Sequence, residues 1–221
     1  MQPVPDTGRC YRCLRPRSRC YCNRIRPLET RTHFALCMHT REYRHQKTGT
    51  GRLARLALTH SQIFTGMDFT HDGALNALLN DPAYAPHLLF PGPAAIQISR
   101  GEKPALAPGR KLLVVLVDAT WPWARKILRA SSNLRALPCL SLDPTAPSRF
   151  AIKRQPHPAC VSTIEAAYEV LLALAASGME DPGLDFNPLV GLLEDLVAYQ
   201  IERKKAEAES AAAPLSGRGT P

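Results

Sequence analysis

The sequence predicts an α/β fold, a parallel or mixed sheet packed under helices, and three observations carry that prediction. Leu112 to Val117 is an unbroken run of leucines and valines bounded by polar residues. Such a run reads as a strand buried on both faces. The run stops at Asp118, and Asp-Ala-Thr-Trp-Pro-Trp follows. A residue before proline avoids α geometry, whereas proline suits a first helical turn, so a helix is expected over Pro122 to Ala130. Strand-like and helix-like segments alternate along the rest of the chain, as in sheet proteins with helical crossovers. An acid just past a buried strand sits where open α/β sheets bind ligands. Both tryptophans of the protein, Trp121 and Trp123, lie in this same turn. Asp118 is therefore the first candidate site residue.

The remaining elements follow in order. Cys10, Cys13, Cys20 and Cys22 open the chain as C-x2-C-x6-C-x-C. Four thiolates so close together are expected to close a tetrahedral zinc site, structural because no position is left open, with a redox pair or free thiols as the alternatives. Arg9, Arg12, Arg15, Arg17, Arg19, Arg24, Arg26 and Arg31 crowd the same stretch. The expectation is a rigid basic knuckle presenting arginines to nucleic acid.

His33 to His39 reads as a short strand with Cys37 in the core. A charged loop then passes Gly49 and Gly51 into the helical pattern Leu53, Leu56, Ala57. Glycine permits close backbone approach, and a helix amino terminus favours anions. The glycine spacing is not that of a P-loop. Further strands are expected at Gln62–Thr65, His87–Phe90, Ala94–Ser99 and Leu137–Leu142, and a helix at His71–Leu79. A proline- and glycine-punctuated loop fills 101–109.

From Arg149 to Gln155, Phe150 and Ile152 alternate with Arg149, Ala151 and Lys153, predicting a half-buried strand or extended loop with basic residues outward. Ser162 and Glu165 stand at capping-box spacing and open what reads as the longest helix. Leu189, Leu192, Leu193, Leu196, Val197 and Ile201 share one face of a last helix, Asn187 to Lys204. From Ala206 the composition predicts a disordered tail. Three parts result: a knuckle over 1–30, the α/β domain over 31–205, and the tail over 206–221.

Lys and Arg number 28 against 19 Asp and Glu, a net charge of +9. That excess favours a polyanionic partner, nucleic acid rather than membrane. No apolar segment approaches the ~20 residues needed to cross a bilayer. The amino terminus lacks the apolar core of a secretory signal, and seven cysteines is an odd count for disulfides. A cytoplasmic protein is expected.

Four separated stretches together resemble the DTW-domain family, the tRNA-uridine aminocarboxypropyltransferases. They are the Cys10–Cys22 knuckle, His39-x-x-Glu42-x-Arg44 with Thr50-Gly51-Arg52-Leu53, Asp118-Ala-Thr-Trp121, and Pro147-Ser148 through Ser162-Thr-Ile-Glu165-Ala166. Gly49, where the family pattern carries asparagine, and Lys153-Arg154 are small departures. The resemblance implies transfer of the 3-amino-3-carboxypropyl group of S-adenosylmethionine to N3 of a tRNA uridine, releasing 5′-methylthioadenosine. It also implies a SPOUT-like, knotted α/β fold. Within it Asp118 is the candidate catalytic residue, either a base for the uridine imide or a group that only positions it. Leu116, Asp118, Thr120, Trp121, Ser162, Thr163 and Glu165 become candidate S-adenosylmethionine contacts. Arg41, Arg44, Arg52, Arg149, Lys153 and Arg154 become candidate tRNA contacts. The competing classes are a non-enzymatic zinc-knuckle RNA-binding protein and a SPOUT-type RNA methyltransferase, separable by their products. Oligomeric state is left open.

Overall fold

The computed structural model describes residues 8–13, 15–45, 49–153 and 160–212. Six strands form one sheet: β1 (His33–His39), β2 (Ser61–Gly66), β3 (Tyr84–Leu89), β4 (Ile96–Gln97), β5 (Lys111–Asp118) and β6 (Cys139–Ser141). Their order is β2-β1-β5-β3-β6-β4, and every pairing is parallel. Parallel neighbours require crossovers, which places helices over both faces. The helices are α1 (Thr40–His45), α2 (Thr50–Ala57), α3 (Gly73–Leu79), α4 (Trp121–Ala130), α5 (Ser132–Arg135), α6 (Thr163–Ala176) and α7 (Asn187–Ala212).

The apolar run occupies the interior of β5, and its residues alternate between two cores, as strand geometry dictates. Leu112, Val114 and Leu116 join Leu53, Ile164, Val170, Leu189 and Leu193 beneath α2, α6 and α7. Leu113 and Val115 join Phe64, Phe69, Leu75, Ile127 and Leu134 on the other face. The α/β prediction holds. The knuckle adds to the first core rather than standing apart from it, because Cys13, Tyr21, Ile25 and Leu28 belong to that same buried cluster. Leu28 also makes a parallel bridge to Leu58.

Several boundaries differ from the sequence reading. The segment 94–99 is a two-residue strand followed by a 3-10 turn, Ile98–Arg100. Residues 149–153 form bends and turns, not a strand, yet Phe150 is buried while Arg149, Ala151 and Lys153 are exposed, so the alternation is real. Helix α7 has 26 residues against 14 for α6 and runs to Ala212, into the segment read from composition as a tail. Alanine and glutamate are strong helix formers, and Arg203 pairs with Glu207 one turn on at 3.2 Å. Residues 213–221 lie outside the described residues. No described helix is long and apolar enough to cross a membrane.

Candidate functional site

The carboxyl edge of the sheet gathers the chemistry. β5 ends at Asp118, which is buried, and the ladder sets Asp118 beside Met38 of β1. Two helices begin against it. Thr163, the first residue of α6, donates its hydroxyl to Asp118 Oδ1, and the Gly51 N–H in the first turn of α2 donates to the same carboxylate. The Thr163 N–H also donates to Thr50 Oγ1 at 3.2 Å, joining the two helix starts directly. One carboxylate thus binds two helix amino termini, where free N–H groups and the helix dipole favour negative charge. Gly51 is what allows this approach: a Cβ there would stand 2.9 Å from Asp118 Cγ. Burial pushes the Asp118 carboxyl up, against the Thr163 hydroxyl, Lys153, the Gly51 N–H and Arg52, which all pull it down.

A second carboxylate lies alongside. Glu42, in the first turn of α1, is half-buried and accepts the Thr120 N–H. Burial and then the charge of Asp118 push it up, while Lys153 opposes. His39, at the end of β1, takes the Arg41 N–H on Nδ1 at 3.0 Å and sets its ring 4.6 Å from Trp123. Burial, then Arg41, lowers its pKa. Neither tryptophan is a core filler; both are partly exposed.

Next to this cluster a cavity of about 460 Å³ opens at the carboxyl ends of β3, β5 and β6. Phe90, Leu116, Trp121 and Leu140 give it apolar walls, and Val161 and Thr163 close it at the start of α6. The Phe90 and Trp121 rings lie 5.6 Å apart. The volume suits a drug-sized ligand held by apolar walls and a few polar groups.

The thiol cluster belongs to a segment that packs against the middle of α7. The sulfurs of Cys10, Cys13, Cys20 and Cys22 all lie within 4.8 Å of one another, with 3.7 Å between Cys10 and Cys22 and between Cys13 and Cys20. Zinc–sulfur bonds of about 2.3 Å give tetrahedron edges of roughly 3.8 Å, so this donor set fits zinc. The Cys10 thiol is lowered to about 6 by N–H groups of Cys13 and Arg12. Arg15 corrects the picture of a knuckle whose arginines all face outward. It is buried, its guanidinium 4.1 Å from the Tyr21 ring and 4.5 Å from the Tyr199 ring of α7. Arg24 and Arg19 pair with Asp195 and Glu202 of the same helix at 3.2 and 3.4 Å.

The DTW-domain profile matches residues 7–201, nearly all of the described structure. The chain belongs to the DTW-domain family. It is 28% identical over 198 residues to a mouse protein named tRNA-uridine aminocarboxypropyltransferase 2, covering 87% of this chain and 63% of the relative. A Drosophila melanogaster protein of the same name is 26% identical, covering 94% and 81%. An Arabidopsis thaliana protein named tRNA-uridine aminocarboxypropyltransferase A is 24% identical, covering 89% and 82%. This chain thus spans less than two thirds of the mouse relative's length. No solved structure matches it.

The family's Asp-Ala-Thr-Trp string is the turn between the cavity and the carboxylates. Of the candidate cofactor contacts, Leu116, Trp121 and Thr163 line the cavity. Asp118, Thr120, Ser162 and Glu165 are not among its described lining residues. Thr120 is the N-cap position of α4. Ser162 and Glu165 form the expected capping box, and Glu165 also accepts Ser148 Oγ at 2.7 Å and the Arg149 N–H at 2.6 Å. That buried glutamate fastens the 148–149 loop to α6.

The candidate tRNA contacts divide as sharply. Lys153 is exposed beside both carboxylates, and Arg41 is exposed beside His39. Arg52 stacks its guanidinium 4.1 Å over Tyr43 and donates to that residue's carbonyl. Arg149 instead pairs with Glu194 of α7 at 3.0 Å. The Arg44 side chain and Arg154 lie outside the described residues. Residue-level reading missed Thr50, Phe90, Leu140 and Val161, and gave Glu42 no role. The strand order brings them in, and periodicity does not report strand order.

Proposed function

We propose that this chain transfers the 3-amino-3-carboxypropyl group of S-adenosylmethionine to N3 of a tRNA uridine, releasing 5′-methylthioadenosine. The observation that carries the reading is the cavity at the carboxyl ends of three parallel strands, walled by Ala119, Trp121 and the start of α6, with a carboxylate pair and Lys153 joined to it through Thr163. The names of the relatives agree with it.

S-adenosylmethionine supplies a sulfonium-activated carbon at which the uridine nitrogen can be alkylated. Leu116, Phe90 and Trp121 offer the apolar surface for its adenosine, and Thr163 with the backbone at 160–163 offers polar contacts. Because the methyl carbon is less hindered than the one transferred, the cavity walls must fix which carbon meets the nucleophile, an orientation task worth orders of magnitude in rate. Arg41, Arg52 and Lys153 lie where tRNA phosphates would be neutralised. The knuckle holds one structural zinc, the sheet is SPOUT-like with a knot, and the reduced thiols suit the cytoplasm.

Incubation with tRNA and S-adenosylmethionine, followed by nucleoside mass spectrometry, tests the proposal. 3-(3-Amino-3-carboxypropyl)uridine and methylthioadenosine in equal amounts are the expected products. S-adenosylhomocysteine would instead identify a methyltransferase, and no cofactor turnover a binding protein.

A further inference from the structure

Asp118 is poorly placed to take a proton from a substrate. Its carboxylate is buried and is engaged by the Thr163 hydroxyl and the Gly51 N–H, which leaves little of it free to meet a substrate. The neighbouring carboxylate is placed differently. β1 pairs Met38 with Asp118, and α1 begins at Thr40, so the first turn of α1 rises directly from that level of the sheet. It brings Glu42 against the Asp118–Trp121 turn, where the Thr120 N–H orients its carboxylate. The next residue, Trp121, is cavity wall. Lys153 acts on Glu42 as well as on Asp118, Arg52 stands near Asp118 on the Tyr43 ring, and Arg41, the residue before Glu42, is exposed. Glu42 is not itself a lining residue, but it is half-buried and reaches the cavity wall through a single residue, Thr120 beside Trp121, with Lys153 next to it.

We infer that Glu42 is the general base of the transfer and that Asp118 is a positioning residue, an assignment that rests on the transferase reading. The uridine N3–H gives its proton to the Glu42 carboxylate. The N3 electron pair forms the new bond to the terminal carbon of the aminocarboxypropyl group. The carbon–sulfur bond breaks with its electrons going to sulfur, so the sulfonium becomes the neutral thioether of methylthioadenosine. Glu42 then returns the proton to water. Burial and the neighbouring Asp118 charge both raise the basicity of Glu42, which suits a base working near neutral pH.

The test is kcat/KM against pH for wild type, Glu42→Gln, Glu42→Asp and Asp118→Asn, with S-adenosylmethionine binding measured by calorimetry. Glutamine keeps an acceptor for the Thr120 N–H, so binding should stay within two-fold while kcat falls roughly 100-fold or more, the usual range for loss of a general base. The acid limb of the profile, where wild-type activity falls as Glu42 protonates, should vanish in Glu42→Gln and partly return in Glu42→Asp. Asp118→Asn should lose rate yet keep that limb. An acid limb intact in Glu42→Gln, or lost in Asp118→Asn instead, overturns the assignment. A wild-type protein that modifies no tRNA overturns the transferase reading itself, and the assignment with it.

Discussion

Buried carboxylates stand at both edges of the sheet, and the comparison separates a structural acid from a site acid. At the amino edge Glu180, with no exposed surface, accepts the N–H groups of Arg31, Thr32 and Asp181 at 2.9, 2.9 and 3.1 Å. It fastens the segment after α6 to the chain entering β1. At the carboxyl edge Asp118 also accepts a backbone N–H, yet it faces a second carboxylate, two cations and the wall of a cavity. Hydrogen bonding to backbone amides is common to both. What differs is the cluster of interacting charges around the second acid, which shifts its pKa and is a common mark of a functional site.

The largest effect expected on this contrast is Glu180→Ala. Stranding the buried N–H groups of Arg31 and Thr32 should cost roughly 3 kcal/mol. At roughly 2–4 °C per kcal/mol for a chain of this size, melting should drop by roughly 6–12 °C in calorimetry, with the specific activity of the folded fraction unchanged at 20 °C. Equal losses of activity and stability would erase the distinction between the edges.

Gly51→Ala strikes the other edge. The added methyl must push the Asp118 carboxylate or the start of α2 aside. Transferase turnover should fall roughly 100-fold, as a 1 Å displacement of site groups can do. Melting should change less than in Glu180→Ala.

Smaller and pH-dependent is the effect of Asp118→Asn on stability. The folded-state pKa of Asp118 is raised, so the wild-type protein is favoured while the group is protonated and loses that stability as pH rises through the folded value. Asparagine has no charge to bury, and its melting advantage over wild type should grow from pH 4 to pH 8. An advantage that shrinks instead would mean that the helix termini outweigh burial.

The smallest effect belongs to His33 at the amino edge, stacked 4.4 Å from His60 and 4.6 Å from Tyr84. Burial first, then His60 and Lys111, lowers its pKa to about 4. A depressed histidine contributes stability above its ordinary 6.5, lost as pH falls toward 4. His33→Phe should flatten the melting-temperature curve across that window.

Local chemistry made much of this legible in the sequence. The β5 run, its terminal acid, the thiol spacing, and the Ser162–Glu165 box are each written within a few residues, and each stands in the structure. The carboxylate pair is written across three segments: Glu42, Gly51 and Asp118 meet only because β1 lies beside β5. Strand order depends on which apolar faces pack together, and a single strand's pattern does not encode its neighbour. Arg15 misleads for a related reason. Arginine is read as a surface charge until two rings, one of them 184 positions away at Tyr199, enclose it. The 206–212 segment is ambiguous because its alanine- and glutamate-rich composition suits a helix as well as a tail.

That enclosure has a temporal consequence. Arg19 and Arg24 find their partners 183 and 171 residues further along. On the ribosome, the arginine-bearing segment therefore emerges long before the helix that supplies its partners. Until α7 is synthesised that segment is held at Leu28, through its backbone bonds to Ala57 and Thr59, and a chain truncated before the helix should leave Arg15, Arg19 and Arg24 without their α7 partners.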